Sequence, residues 1–567
     1  MYTIVFRPEG GQEVKLQAAE GENILALAVK GGVVIDAPCS GNGVCGKCRL
    51  RLIAGTVDMT KVPSLSEEEY EDGWRLACQS RVMGDATFLV PAGASAFQSG
   101  IQTADLSSAQ ELAAYEKAID GIFGAGIPRG TAQKGVGLAV DIGTTTCAAA
   151  LLDLQSGAVL AKASAGNGQI RYGADVINRI IQSTKPGGRE KLRRAVREET
   201  LIPLIETLCR GANVESTDIT RAVIAGNTTM EHLFAGVDAE SIRLEPYVPA
   251  FLALRGETAE RFGLVTAKDF GLPLCPEAPV ILAPNVGSYV GGDITAGALT
   301  SMIWDADELT LFIDLGTNGE LVFGSRDFLL CCACSAGPAF EGGDITCGMR
   351  ATKGAIEACR IDEESMEPVF EIVGGDLPPA GLCGSGLIDT ISELFRCGII
   401  NGKGKFVREG RRVVRSEYEA AYVLAFAEES ASGRDVTLTE TDIDNFIRAK
   451  GAIFSAIRAM LNSLDMTVDC ITKVIVAGGI GSGIDIPKAI SIGMLPALPV
   501  EKYSYIGNSS LTGACAMLLS DEAEEKVFAL GDSMTYLELS SHPGYMDEFV
   551  AACFLPHTQA ELFDMAD

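Results

Sequence analysis

Four cysteines near the amino terminus have a spacing that can hold a metal cluster. Cys39, Cys45 and Cys48 lie in one glycine-punctuated run, Cys39-Ser-Gly-Asn-Gly-Val-Cys45-Gly-Lys-Cys48, and Cys78 follows thirty residues later. Three thiolates on one loop and a fourth on a distant segment can close around a rhomb of two irons and two sulfides. Gly41, Gly43 and Gly46 would let backbone N–H groups turn toward the sulfides, which favours their negative charge and tunes the potential. A structural zinc site calls for paired C-x2-C arms, and only one such pair exists here. Ordinary buried or zinc-binding thiols are the alternative.

A second chemistry is written in a repeat. Strand-like Gly137 to Val140 runs into Asp141-Ile-Gly-Thr-Thr-Thr146 and then into apolar Ala148 to Leu152. About 170 residues on, Leu311 to Ile313 runs into Asp314-Leu-Gly-Thr-Asn-Gly-Glu320 and then Leu321 to Phe323. In each copy a tight turn between strands offers backbone N–H groups and hydroxyls to a polyphosphate. Gly143 and Gly316 permit close approach, with Thr144, Thr145, Thr317 and Asn318 beside them. Asp141 and Asp314 can each hold Mg²⁺ through water, since magnesium keeps part of its hydration shell. Glu320 and Glu341 suit the orientation of an attacking water, and a supporting place behind the loop suits them equally; Asp293 has the same ambiguity. Farther on, the strand Thr472 to Ala477 ends in Gly478-Gly479-Ile-Gly481, bare backbone against which a planar base can lie. The Walker A and G-x-G-x-x-G patterns are absent in the right context.

These residues need elements to place them. Residues 2 to 7 and 13 to 17 alternate apolar and polar side chains around Gly10 and Gly11, which predicts a hairpin. A helix is expected over Asn23 to Lys30, stopping at Gly31 and Gly32, and a strand over Arg49 to Ile53. Pro91 to Lys134 is rich in Ala, Gly, Ser and Gln, with one helical candidate at Ser108 to Ala118; it reads as a tether or as an ordered connector. Ile443, Phe446, Ile447, Ile453, Phe454, Ile457, Leu461 and Leu464 mark an amphipathic helix ahead of the last glycine turn. The mixed charges of Arg408 to Asp435 read as a solvated face or insertion.

The whole chain bounds the choice. Its 567 residues suggest two to four domains, and 47% hydrophobic against 21% charged side chains is a globular composition. Forty-six basic against 75 acidic residues leave a net charge of −29, which phosphate backbones and anionic lipid would repel. Neither nucleic acid nor a membrane is an expected partner. No signal-like leader and no run of eighteen uncharged apolar residues is visible, so a cytoplasmic protein is expected. Seventeen cysteines, an odd number, then read as thiols or metal ligands rather than disulfides. Cys331, Cys332 and Cys334 invite a second metal site, but adjacent strand residues point to opposite faces and buried cysteine packs like a small apolar side chain. His232, His542 and His557 are too scattered for a histidine site.

The amino-terminal segment resembles β-grasp [2Fe–2S] ferredoxins, and its first gap of five residues is that of the adrenodoxin-like variant. The two phosphate loops and the glycine turn, in this order, resemble the superfamily of acetate and sugar kinases, heat-shock chaperone ATPases and actin. The implied fold is multidomain α+β and α/β: a β-grasp [2Fe–2S] domain over 1–92, a linker over 93–134, and an ATPase body of two ribonuclease-H-like halves, 135–305 and 306–567. ATP and Mg²⁺ would sit between the loops, with Gly478, Gly479 and Gly481 by the adenosine.

The full combination resembles the reductive activators of corrinoid proteins. Val223-Ile-Ala-Gly-Asn-Thr-Thr-Met230, Tyr289-Val-Gly-Gly-Asp-Ile-Thr-Ala-Gly297, Cys334-Ser-Ala-Gly-Pro-Ala-Phe-Glu-Gly-Gly343, Cys383-Gly-Ser-Gly-Leu-Ile-Asp389 and Phe554-Leu-Pro-His557 agree with it. The resemblance implies one-electron reduction of an inactive Co(II) corrinoid on a methyl-carrier protein to Co(I), driven by ATP, with an upstream low-potential electron donor and a homodimeric ATPase body. Ser335 is the candidate partner contact, against the duller reading of a glycine-lined turn beside the phosphates. A small-molecule kinase with a fused redox-sensing ferredoxin domain is the alternative, and a docking module with a degenerate ATPase fold is a third reading. Intact Asp141, Thr144, Asp314 and Thr317 speak against the third.

Overall fold

The computed structural model describes residues 1–567 except 10, 34, 36, 38–42, 44, 45, 61, 63, 64, 66, 92–104, 132, 133, 174, 253–261, 417, 418, 480–482 and 564–567. The chain divides into two compact units. One comprises Met1–Thr103, Arg171–Ala174 and Glu341–Phe446; the other comprises Ala104–Ile170, Asp175–Phe340 and Ile447–Asp567.

In the first unit, strands Val14–Ala18, Tyr2–Pro8, Ser80–Val90, Arg49–Met59 and Trp74–Leu76 form a sheet in that order. The pair Tyr2–Pro8 and Ser80–Val90 is parallel and the other neighbours are antiparallel. Period-2 alternation turns Ile4 and Phe6 inward, and the Phe6 ring stacks on Phe88 at 5.8 Å. Helix Ile24–Lys30 begins at Asn23, whose side chain accepts from the Ala26 N–H, and it buries Ile24, Leu27 and Ala28 in the same core. This is the expected β-grasp arrangement.

Residues 341–446 add a sheet of Pro368–Ile372, Ala355–Ile361 and Gly381–Leu382, with helix Gly384–Arg396 after it. They also add the antiparallel meander Val413–Arg415, Ala420–Ala425 and Val436–Thr439. The solvated reading of Arg408 to Asp435 is therefore corrected. Tyr422, Val423 and Leu424 are fully buried, and the buried Arg412 donates to the carbonyls of Val423 and Leu424 while pairing with Glu367. The sequence hid this because its charges cluster at the turns and the buried strand is only six residues long.

The second unit holds two six-stranded sheets of matching order among the described residues. In the first, Val280–Leu282, Ile219–Gly226 and Val136–Ile142 run parallel, followed by antiparallel Thr146–Asp153, Val159–Gly166 and Asp105–Leu106. In the second, Tyr503–Tyr505, Lys473–Ala477 and Thr310–Leu315 run parallel, followed by antiparallel Gly319–Ser325 and Phe328–Cys334, and then Thr535–Tyr536 parallel at the edge. Each central strand is apolar and buried along its length until an aspartate one residue from its end, Asp141 or Asp314. The duplication inferred from the repeated loops is thus a duplicated ribonuclease-H-like sheet.

Of the two readings of the linker, the ordered connector describes residues from 105 onward. Ser108 caps helix Ala109–Gly124 in a reciprocal box with Glu111, and Ile119, Ile122 and Ile127 are buried in the core of the second unit. Each such isoleucine contributes roughly 1.5–3 kcal/mol that a free tether would forgo. The rest of the linker, 92–104 with 132 and 133, lies outside the described residues.

Candidate functional site

Strand pairing brings two of the four cysteines together. Register Arg49↔Leu76 sets Cys48, just before one strand, beside Ala77 and Cys78, just after the other. The Ala77 N–H donates to the Cys48 carbonyl at 2.8 Å, and the Cys78 N–H lies 3.5 Å from the Cys48 Sγ. Asn23 Nδ2 donates to the Cys78 carbonyl at 2.7 Å, so the helix cap also holds that segment. Both thiols are buried, at 1% and 8% exposure. A Cβ at Gly43, where φ is +79°, would come within 2.8 Å of Gln79, next to Cys78. At Gly43 the chain thus approaches the second cysteine segment as bare backbone. These features fit a thiolate-held cluster with N–H donors to sulfur; Cys39 and Cys45 lie outside the described residues.

The two aspartate loops converge. Gly143 N–H donates to the Thr146 carbonyl at 3.0 Å, and a Cβ there would sit 2.4 Å from that oxygen; Gly316 N–H closes a turn one residue tighter, to the Asn318 carbonyl at 3.0 Å. Thr145 and Thr317 meet hydroxyl to hydroxyl at 3.0 Å. The first loop is braced from behind: Asn167 Nδ2 donates to the Gly143 carbonyl at 2.9 Å and Asn227 Nδ2 to Thr144 Oγ1 at 3.0 Å. Gly478, at φ +99°, ends its strand against the second loop, where a Cβ would lie 2.2 Å from the Leu315 carbonyl and 2.8 Å from Asp314 Oδ1. Gly479 has open space where a side chain would be, and Gly481 lies outside the described residues.

Three residues that sequence reasoning missed hold both aspartates. Helix Ser509–Leu519 starts at Asn508, and there Asn508 Nδ2 and Ser510 Oγ donate to the two oxygens of Asp141 at 2.8 and 2.9 Å. Ser509 Oγ donates to Asp314 Oδ2 at 3.1 Å. The helix packs closely on Gly292–Ser301: a Cβ on Gly513 would strike the Ala296 carbonyl at 2.2 Å, and one on Gly297 would lie 2.9 Å from Ser509 Oγ. In the sequence, Asn-Ser-Ser before an apolar run reads only as a helix cap.

The electrostatics are those of crowded acids. Burial pushes Asp314 up to about 7, reinforced by Asp141. Asp293 is raised well above the usual carboxylate range by burial, then by Asp314 and Asp141; Glu320 is raised by burial, then by Asp293 and Asp314. Asp141 is raised by burial against the opposing bonds from Asn508 and Ser510. Such a pocket repels a bare polyphosphate and accepts one carried by a divalent cation. Among the described residues, no three His, Cys, Asp or Glu side chains converge closely enough to hold a metal alone. The acids therefore suit a cation held largely by water and nucleotide oxygens.

Glu231 is a further buried acid. Asn285 Nδ2 donates to its Oε2 at 2.5 Å, its Oε1 has no hydrogen-bond partner among the described residues, and burial holds its pKa well above the ordinary range. His232 is structural: its ring bonds the Thr228 carbonyl at 2.6 Å and the Phe251 N–H at 3.4 Å, and burial lowers its pKa to about 4. Cys331, Cys332 and Cys334 are buried thiols pushed up by desolvation. Ser335, directly after them, is exposed. A surface groove of about 510 Å³, lined by Ser183, Lys185, Arg189, Arg193 and Asp238, shares no residue with the acids. No helix among the described residues is long and apolar enough to cross a membrane.

Comparisons with known proteins cover both units. Residues 8–83 match the model of the 2Fe-2S iron-sulfur cluster binding domain, 136–305 the RACo middle region, and 308–567 the C-terminal domain of RACo, the ASKHA domain. The corrinoid activation enzyme RamQ of Eubacterium limosum is 33% identical over 435 residues, covering 75% of this chain and 71% of that protein. The [Co(II) methylated amine-specific corrinoid protein] reductase of Methanosarcina barkeri is 22% identical over 421 residues, covering 70% and 73%. A solved structure titled reductive activator for corrinoid, iron-sulfur protein aligns over 100% of both chains with 37% identity and a TM-score of 0.70.

Proposed function

Because the chain belongs to the family of corrinoid-activating enzymes, we propose that it is an ATP-dependent reductive activator, returning the Co(II) corrinoid of a methyl-carrier or corrinoid iron–sulfur protein to Co(I). The observation that carries this reading is the convergence of Asp141 and Asp314 on one helix start, Asn508 to Ser510, in a chain that also pairs Cys48 with Cys78.

Cys39, Cys45, Cys48 and Cys78 would hold a [2Fe–2S] cluster, which supplies one electron at a time. Gly143, Thr144 and Thr145 with Gly316, Thr317 and Asn318 would take the phosphates of ATP, and Gly478, Gly479 and Gly481 the adenosine. Asp141 and Asp314 would hold Mg²⁺ through water, and Glu320 would orient the hydrolytic water. The division of labour follows 1–92 for the cluster, 93–134 as linker, and 135–305 and 306–567 as the halves of the ATPase. Exposed Ser335 is the partner contact. An upstream low-potential donor would recharge the cluster, and a reducing cytoplasm would keep the cysteines outside the cluster as thiols. A homodimeric body is part of the reading.

The energetic difficulty is that low-potential [2Fe–2S] ferredoxin centres sit around −400 mV, and reducing a Co(II) corrinoid from there is expected to be uphill. Nucleotide turnover acts through which conformation and partner state the body prefers. A differential affinity of about 5.5 kcal/mol shifts a two-state equilibrium from 1:99 to 99:1, which for one electron is about 240 mV. Binding energy of ordinary size is therefore sufficient.

The test mixes reduced protein with an isolated Co(II) corrinoid protein, with and without Mg–ATP, and follows the Co(I) absorption. Activation predicts Co(I) only with nucleotide. A kinase predicts no change at cobalt, and a docking module predicts no effect of ATP.

A further inference from the structure

The cluster loop carries a cation that the cysteine chemistry does not use. Lys47 lies between Cys45 and Cys48, and its Nζ donates to the Gly342 carbonyl at 2.7 Å and the Gly348 carbonyl at 2.9 Å. All three residues belong to one compact unit.

The receiving carbonyls are built to converge. Gly342 adopts φ +77°, and a Cβ there would come 2.5 Å from the Met349 nitrogen; a Cβ on Gly348 would come 2.5 Å from the Gly342 carbonyl oxygen. Only bare backbone allows these two strands of loop to close on each other. The loop between them is braced: Asp442 accepts from the Thr346 N–H at 2.7 Å and its hydroxyl at 3.1 Å, and Asn445 Nδ2 donates to the Asp344 carbonyl at 2.7 Å. An ammonium seated on oriented carbonyls forms charge-assisted bonds that need no carboxylate. A second contact supports the same docking: the Arg434 guanidinium lies over the Trp74 ring at 5.1 Å, and Trp74 is on the strand paired with Arg49–Met59.

We propose that Lys47 is a positioning residue for electron delivery: seated on the carbonyls of Gly342 and Gly348, it docks the Gly46–Cys48 end of the cluster segment on the 342–348 turn of the same unit, the pose from which the electron leaves. The inference rests on the reductive-activator reading. One electron passes: the reduced cluster is oxidised by one electron and Co(II) becomes Co(I).

The experiment uses the full-length, cluster-loaded protein with Lys47→Met, Lys47→Arg and Gly348→Ala. Gly348→Ala displaces the acceptor without touching the cysteine loop. Lys47→Met and Gly348→Ala are expected to raise amide hydrogen exchange over 342–349, to leave the cluster's midpoint potential and the ATPase rate unchanged, and to slow Co(I) formation at least tenfold. Lys47→Arg should recover part of that rate. Unchanged exchange at 342–349, or Co(I) formation at or above the wild-type rate in both variants, would overturn the proposal. If the wild-type protein itself yields no Co(I), the functional reading fails, and the exchange contrast alone still decides whether Lys47 docks the loop.

Discussion

Thr145 and Thr317, 172 positions apart in the chain, face each other hydroxyl to hydroxyl at 3.0 Å. Thr317 directly follows Gly316 and Thr145 lies two residues after Gly143, so the contact joins the tips of two related strand–turn–strand motifs. Behind them, one helix start reaches both aspartates. A phosphate chain laid along these tips would be read by both halves at once. Any change in the separation of the halves would then change how it is held.

Removing the Ser510 hydroxyl should expose this dependence. Ser510→Ala leaves Asp141 with the Asn508 amide alone, and a hydrogen bond to a charged group is worth roughly 1.5–3 kcal/mol. The apparent KM for Mg–ATP should rise roughly 10- to 100-fold in steady-state hydrolysis, with the melting temperature nearly unchanged. Asn508→Ala should do the same and also lower the melting temperature. Its side chain caps the helix by accepting from Leu511 N–H at 2.8 Å, a bond worth about 1 kcal/mol. An unchanged KM in both variants would separate the helix start from nucleotide binding.

Asp314 gives the site a pH dependence with a defined sign. Its folded pKa, about 7, lies above the value near 4 of an unfolded aspartate, so between these values the folded chain binds more protons than the unfolded chain. Nucleotide-free stability contributed by this group is complete below about pH 4 and is lost as pH rises toward 7. Mg²⁺ competes with the same proton, so Mg–ATP affinity should increase from pH 6 to about 7 and flatten above it. Calorimetric titration in two buffers of different ionisation enthalpy should detect proton release at pH 6.5, and Asp314→Asn should abolish it.

How much of this was legible depends on whether neighbours in sequence are neighbours in space. The turns at Asp141 and Asp314 could be read because each sits in a local hairpin, Asp141 opposite Ala148 and Asp314 opposite Glu320. Cys48 and Cys78 could be read because two paired strands connect them directly. Asn508, Ser509 and Ser510 could not: their role comes from strands more than 190 residues away, while locally they satisfy every rule for a helix cap. Glu231 was equally hidden, since only the packing of Asn285 and Gly292 around it distinguishes it from a surface glutamate. The run Arg408 to Asp435 failed for a related reason, with its buried strand flanked by charged turns.

Iron content separates the two cysteine groups. Chemical analysis of the reconstituted protein should give about two irons per chain, as expected for one [2Fe–2S] cluster. Cys78→Ser should remove or sharply alter the visible absorption while preserving ATP hydrolysis, because the aspartate loops share no residue with the cysteine loop. Cys332→Ser should leave iron unchanged. It should nonetheless destabilise the fold by roughly 1–3 kcal/mol, since it puts a hydroxyl into a fully buried strand position. About six irons per chain would instead require a second site.

Lys450 supplies the last test, one of architecture. Helix Glu440–Ser463 carries it into a fully buried position, where its Nζ donates to the carbonyls of Phe554 and Pro556 and lies 3.5 Å from that of Gly493. The ammonium thereby pins Phe554–His557 to the helix. His557 completes the attachment: it is buried beside Glu548 and packs edge-on against Phe454 of that helix. Lys450→Met keeps the length of the side chain and removes its donors, leaving buried carbonyls without their partner at roughly 1–3 kcal/mol each. The variant should lose about 3 kcal/mol or more in denaturant unfolding and show rapid amide exchange over 553–558, with the cluster spectrum unchanged. Wild-type stability in Lys450→Met would mean that the segment is held by the His557 contacts alone.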